Sequence, residues 1–158
     1  MSHLDEFKTK FTDREALVKA LCRTLGLTRN QIEVHTKAQT LIGYHGTEDN
    51  KVAHVIIRKT HARIPSDIGW EMKDGSYVGH VDDHDYRGSS WQSRGGGLNA
   101  VHYNDTWKLK LTENYNFELS KMVFEAKGIK CVECKDNRGR LQLRAKLVSQ
   151  ANKMKIHI

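Results

Sequence analysis

Residues 104–128 read NDTWKLKLTENYNFELSKMVFEAKG, and the fold turns on how that stretch is taken. At about 100° per residue, Trp107, Leu111, Tyr115, Leu119, Met122 and Ala126 fall on one stripe, the pattern of a helix that buries one side against a sheet. Asn104, Asp105 and Thr106 are all suitable N-caps. Gly128 stands where a left-handed C-cap is wanted, and an alternating strand pattern follows at once. The stretch therefore predicts one long helix, with a curved antiparallel sheet packed on its stripe.

Composition bounds the rest. The chain has 158 residues, 38% hydrophobic and 28% charged, which favours one globular domain with a core of its own. No run of about 18 apolar residues occurs, so no membrane span is expected. MSHLDEFKTK lacks the apolar stretch of a signal peptide. Three cysteines are too few for a disulfide framework. The expectation is a reducing compartment, cytoplasmic or plastid-like. A net charge of +7 and a pI near 9.4 raise the weight of an anionic partner.

Outward from the helix, the chain reads as strand, helix, several strands, helix, two strands. Residues 3–11 are taken as a strand. Thr12 to Glu15 form a capping box ahead of a helix with Leu17, Ala20, Leu21 and Leu25 on its stripe, ended by Gly26. Strands are expected at 31–35 and 38–44, with a turn at 47–50. KVAHVIIRK, 51–59, is apolar on both sides and so belongs in the middle of a sheet. Asp74-Gly75 joins strands 68–73 and 76–81 as a two-residue type I′ hairpin. Residues 82–99 are taken as an exposed Gly- and Ser-rich loop. Strands 129–135 and 140–147 close the chain around the turn at 136–139. The fold class is α+β: a single mainly antiparallel curved sheet with two helices packed on one face. The domain is placed at 1–148, with a C-terminal extension at 149–158.

An ordered set of residues recurs in a known pattern: the MSH opening with Lys8 and Thr9, the helix after Asp13, Asp67-Ile68-Gly69 leading to Asp74-Gly75-Ser76-Tyr77, Leu111-Thr112 with Tyr115 and Phe117, the Gly128 break, and Asp136 and Gly139 ahead of Leu141 to Leu147. Over roughly residues 1–148 the chain resembles the hypothetical chloroplast reading frame 35 family of plastids, bacteria and phages. It departs from that pattern in a longer 36–54 segment, an inserted 87–97 loop and an added tail. The resemblance implies a small α+β protein with no assigned activity and supplies no catalytic residues.

Four constellations carry candidate chemistry. In the last strand Arg140, Gln142, Arg144 and Lys146 alternate with Leu141, Leu143, Ala145 and Leu147. With Arg138 this sets four cations along about 25 Å of strand, a ridge suited to a sugar-phosphate backbone or simply a solvated face. Arg94 and Trp91 in the loop add a charge and a stacking ring to that nucleic-acid surface. Phe117 and Phe124 lie off the Leu111/Tyr115 stripe, so either they are covered within the chain or they meet a partner protein, a homodimer included. Cys131-x-x-Cys134 is a metal or redox pair only if its thiols converge, and strand geometry points them to opposite faces. His80 to Asp85 is a His/Asp cluster that fits a divalent metal or a polar strand end. No catalytic motif occurs, and no cofactor is expected.

The function expected first is a small basic non-enzymatic binding protein that takes nucleic acid on its basic sheet face. The second is a protein adaptor or inhibitor docking through Phe117 and Phe124. A metal or redox role for Cys131 and Cys134 comes third.

Overall fold

The computed structural model describes residues 4–43, 46–62, 64, 66–81 and 105–145. Its elements are β1 (Asp5–Lys8), α1 (Arg14–Leu25), a 3-10 turn (Arg29–Gln31), β2 (Glu33–Gly43), β3 (Gly46–Ile57), the single-turn α2 (Lys59–Ala62), β4 (Ile68–Lys73), β5 (Ser76–Val81), α3 (Asp105–Ala126), β6 (Cys131–Lys135) and β7 (Leu141–Ala145). The fold is α+β, as expected. The single sheet is not: an antiparallel sheet in the order β1-β5-β4-β3-β2 is accompanied by a separate two-stranded sheet, β6-β7. Alternation marks a strand but does not say which edge it pairs with. Two compact units result, Met1–Tyr115 and Asn116–Ile158, and the boundary falls inside α3.

In the first unit, the Asp74-Gly75 hairpin forms where the dipeptide placed it. Both residues have positive φ, 54° and 89°, as the type I′ turn requires. β3 lies between β4 and β2, with Ala53, Val55, Ile56 and Ile57 buried, as its two-sided apolar pattern demands.

Register across the sheet sets two rows. Phe7, Gly79, Trp70 and Val55 are successive partners, and so are Glu6, His80, Gly69 and Ile56. The rows face opposite ways because side chains alternate. On the first row Phe7 lies over Gly79, so close that an added Cβ would sit 2.2 Å from Phe7 Cζ. Trp107 of α3 covers this row, with ring centroids 6.2 Å from Phe7 and 6.4 Å from Trp70. On the other row Leu41 and Ala53 occupy the space over Gly69. Leu4, Leu41, Ala53 and Ile56 form a small core there.

Three local expectations change. The first helix is capped by Asp13, whose carboxylate accepts from the Ala16 N–H at 2.8 Å, not by Thr12. The Thr12 and Asp13 N–H groups instead donate to the Tyr115 hydroxyl, each at 2.9 Å, a tertiary contact that no local pattern announces. The two strands expected at 31–44 are one, β2, whose register against β3 slips between Val34 and Gln39 and again between Thr40 and Leu41. Residues 47–50, expected as a turn, continue β3. Backbone pairing with β2 overrides the turn propensity of this stretch.

The long helix forms from Asp105 to Ala126. Trp107, Leu111 and Tyr115 are buried as the stripe predicts, and Phe11 stacks on Tyr115 with centroids 4.2 Å apart. Beyond Tyr115 the stripe fades. Leu119 and Met122 are half-buried, Ala126 is exposed, and the one buried position of this half is polar, Glu118; ahead of Tyr115, Asn114 is buried too. Asn114 donates to the Thr24 hydroxyl at 2.8 Å.

In the second unit, α3 ends in a Schellman cap. Gly128 has φ 76°, its N–H donates to the Glu125 carbonyl at 3.0 Å, and the Ile129 N–H donates to the Phe124 carbonyl at 3.0 Å. β6 and β7 then pair around a turn closed by Gly139 (φ 74°), whose N–H donates to the Asp136 carbonyl at 3.0 Å.

Candidate functional site

The β6-β7 hairpin has two unlike faces. Pairing sets Val132 opposite Arg144 and Cys134 opposite Gln142 on one side. Cys131, Glu133 and Lys135 lie opposite Ala145, Leu143 and Leu141 on the other. Leu141 and Leu143 are half-buried, while Arg140, Gln142 and Arg144 are exposed. Glu133 pairs with Lys121 of α3 at 3.0 Å, so the leucine side turns toward the helix and the arginine side turns away. That pair, more than any other cause, raises the Lys121 pKa.

The turn is held by Asp136. One carboxylate oxygen accepts from the Arg138 and Arg140 N–H groups at 2.9 and 2.8 Å, and the other from the Arg140 guanidinium at 2.7 Å. The backbone bond from Arg140 is the main reason the Asp136 pKa lies below its ordinary value. Arg140 is thus partly neutralised, although its side chain stays 70% exposed. Arg138 and Arg144 form no ion pair among the described residues. Charge is also unevenly divided along the sequence. Asn116–Ile158 holds ten of the 26 Lys and Arg but only four of the 19 Asp and Glu, hence six of the seven net positive charges.

Arg58 and Lys59, natural candidates to extend a basic patch, are engaged elsewhere. Asp67, fully buried, accepts from Arg58 at 2.8 Å, from the Lys59 N–H at 2.7 Å and from the Ile42 N–H at 2.8 Å. Arg58 also reaches Glu33 at 3.2 Å and the Thr40 carbonyl at 2.9 Å. Lys59 donates to the Gly43 carbonyl at 3.1 Å. Burial alone would raise the Glu33 pKa, but hydrogen bonds from His35 and Arg58 outweigh it and the pKa is lowered. This network holds β2, β3 and the start of β4 together and leaves no free cation on Arg58.

His80 sits on β5 at 1% exposure, with Nε2 3.2 Å from Glu71 and Nδ1 3.9 Å from Glu6. Nδ1 has no hydrogen-bond partner among the described residues. Glu6 is held in turn by Lys51 at 3.1 Å, which lowers its pKa. The sequence carried His80 but gave no sign of Glu6 and Glu71, which register alone brings beside it.

Cys131 and Cys134 are free thiols on opposite faces of β6, so they cannot converge on one ion. Among the described residues no group of three or more His, Cys, Asp or Glu could hold a metal. Phe117 is half-buried, whereas Phe124 and its neighbour Val123 are 38% and 46% exposed. Trp91, Arg94, Lys146, Arg63, the 82–99 loop with its His/Asp run, and the 149–158 extension lie outside the described residues. No helix among the described residues is long and apolar enough to cross a membrane. Comparison with family models, with curated proteins and with solved structures gave no match to this chain.

Proposed function

We propose that the protein is a small, non-enzymatic binding protein whose ligand is nucleic acid, held on the arginine side of the β6-β7 hairpin. The supporting observation is the concentration of positive charge in Asn116–Ile158, with Arg138 and Arg144 exposed and without ion pairs among the described residues. Neutralising phosphates releases their counterions, so binding of this kind weakens steeply with salt. Fluorescence anisotropy with labelled DNA and RNA, across a salt series starting near about 50 mM, tests it. A steep linear fall of log affinity with log salt is expected. No detectable binding at micromolar protein in the lowest salt ends the proposal. Membership of the reading frame 35 family, proposed on the residues quoted for it, adds no competing activity.

A second reading, protein docking through Phe117 and Phe124, is favoured by the exposure of Phe124 beside Val123. Light scattering on the wild type and on Phe124→Asp separates a self-associating chain from a monomer.

A further inference from the structure

We infer that the outward face of the β6-β7 ribbon enters the major groove of duplex DNA, with Gln142 and Arg144 as its base-reading residues. The inference rests on the nucleic-acid reading above and narrows it to one form of the ligand.

Shape comes first. Among the described residues β6 and β7 pair with each other and with no strand of the larger sheet. Two strands about 4.8 Å apart make a ribbon, and a groove about 12 Å wide admits a two-stranded ribbon. The inner side is anchored on α3 through Glu133 and Lys121, so the ribbon is backed by a helix and its outer side is presented.

The outer row has the chemistry of base edges. Arg144 can donate two bonds to guanine O6 and N7, and Gln142 can pair in the same way with adenine N6 and N7. Val132, directly opposite Arg144, is 40% exposed. A valine in water gains nothing there, but in a groove it can meet a thymine methyl group. Cations stand at both ends of the ribbon. Lys127 and Lys130 precede β6, and Arg138 lies in the turn; all three are exposed and form no ion pair among the described residues. Such cations grip phosphate and set orientation, while the row between them selects sequence.

The same row disfavours other nucleic acids. Single strands are held by stacking on aromatic rings, and Val132, Cys134, Gln142 and Arg144 include none. The major groove of duplex RNA is too deep and narrow for side chains to read.

The test uses the full chain. Duplexes are selected from a random pool, and anisotropy then compares the winner with a scrambled duplex, its separated strand and the same sequence as duplex RNA. The expected order is winner first, by about tenfold or more over the scrambled duplex. Arg144→Ala should lose roughly 5- to 100-fold on the winner and little on the scrambled duplex. Lys127→Ala with Lys130→Ala should weaken both alike and flatten the salt dependence. These positions are exposed, and thermal melts confirm that each variant folds. If the separated strand or duplex RNA binds as tightly as the winner, or Arg144→Ala weakens both duplexes equally, the groove assignment is wrong while the nucleic-acid reading survives. Absence of binding to every nucleic acid removes both.

Discussion

Asp67 and Ile42 bond each other twice. The Asp67 N–H donates to the Ile42 carbonyl at 2.8 Å, and the Asp67 carboxylate accepts from the Ile42 N–H at 2.8 Å. The same carboxylate takes Arg58 and the Lys59 N–H. One buried side chain thus ties the end of β2 to the segment entering β4.

Removing it takes away one of the two carboxylates that hold Arg58 and leaves the Ile42 and Lys59 amides without their acceptor. Asp67→Ala is expected to cost about 3–5 kcal/mol, since it breaks a buried ion pair and leaves buried donors unpaired. Asp67→Asn, which keeps the shape, should cost less. Urea unfolding measures both, and a midpoint for Asp67→Ala within error of wild type would refute the keystone role.

Phe7 and Gly79 cannot both keep their places if Gly79 gains a Cβ, because the added atom would lie 2.2 Å from Phe7 Cζ. Gly79→Ala should destabilise by about 1–3 kcal/mol through overpacking. In a double-mutant cycle Phe7→Leu should recover part of the loss. Strict additivity of the two changes would show that the clash is relieved elsewhere.

Tyr115→Phe removes the acceptor for the Thr12 and Asp13 N–H groups while leaving the ring stacked on Phe11. A loss of about 1–3 kcal/mol is expected, the cost of leaving partly buried donors unpaired. An unchanged melting temperature would mean that water replaces the hydroxyl without cost.

Burial pushes the His80 imidazole below its ordinary pKa, and the bond to Glu71 offsets this only in part. The folded state therefore takes up its proton at lower pH than the unfolded state does. Stability from this group is complete above about pH 6.5 and is lost as pH falls through the lowered value. Unfolding free energy should decline from about pH 7 toward pH 5, before Glu6 and Glu33 begin to add their own losses at lower pH. His80→Gln should flatten that first segment; an unaltered slope would assign it to other groups.

Lys130→Ala with Arg138→Ala should reduce the slope of log affinity against log salt by about two, roughly one for each phosphate no longer neutralised. Arg58→Ala should instead unfold the protein more easily, since Arg58 is bound to Asp67 and Glu33. If Arg58→Ala alters the salt slope of a folded protein and the hairpin pair does not, the interface has been placed on the wrong part of the chain.

The elements that the sequence disclosed are those whose signals are local. The Asp74-Gly75 turn, the glycines that end α1 and α3, the two-sided apolar strand β3 and the alternating hairpin β6-β7 all depend on neighbours within a few residues, where backbone sterics and burial period leave one choice. The leucine and arginine faces of β7 were legible for the same reason. What needed tertiary structure was every partnership across the chain. Asp67 and Arg58 are ordinary surface residue types until strand pairing brings them together in the interior, and Glu6 and Glu71 acquire His80 only through register. The hairpin's separation from the larger sheet was hidden too, because a strand's pattern states which side it buries and leaves open which edge its backbone hydrogen bonds will find.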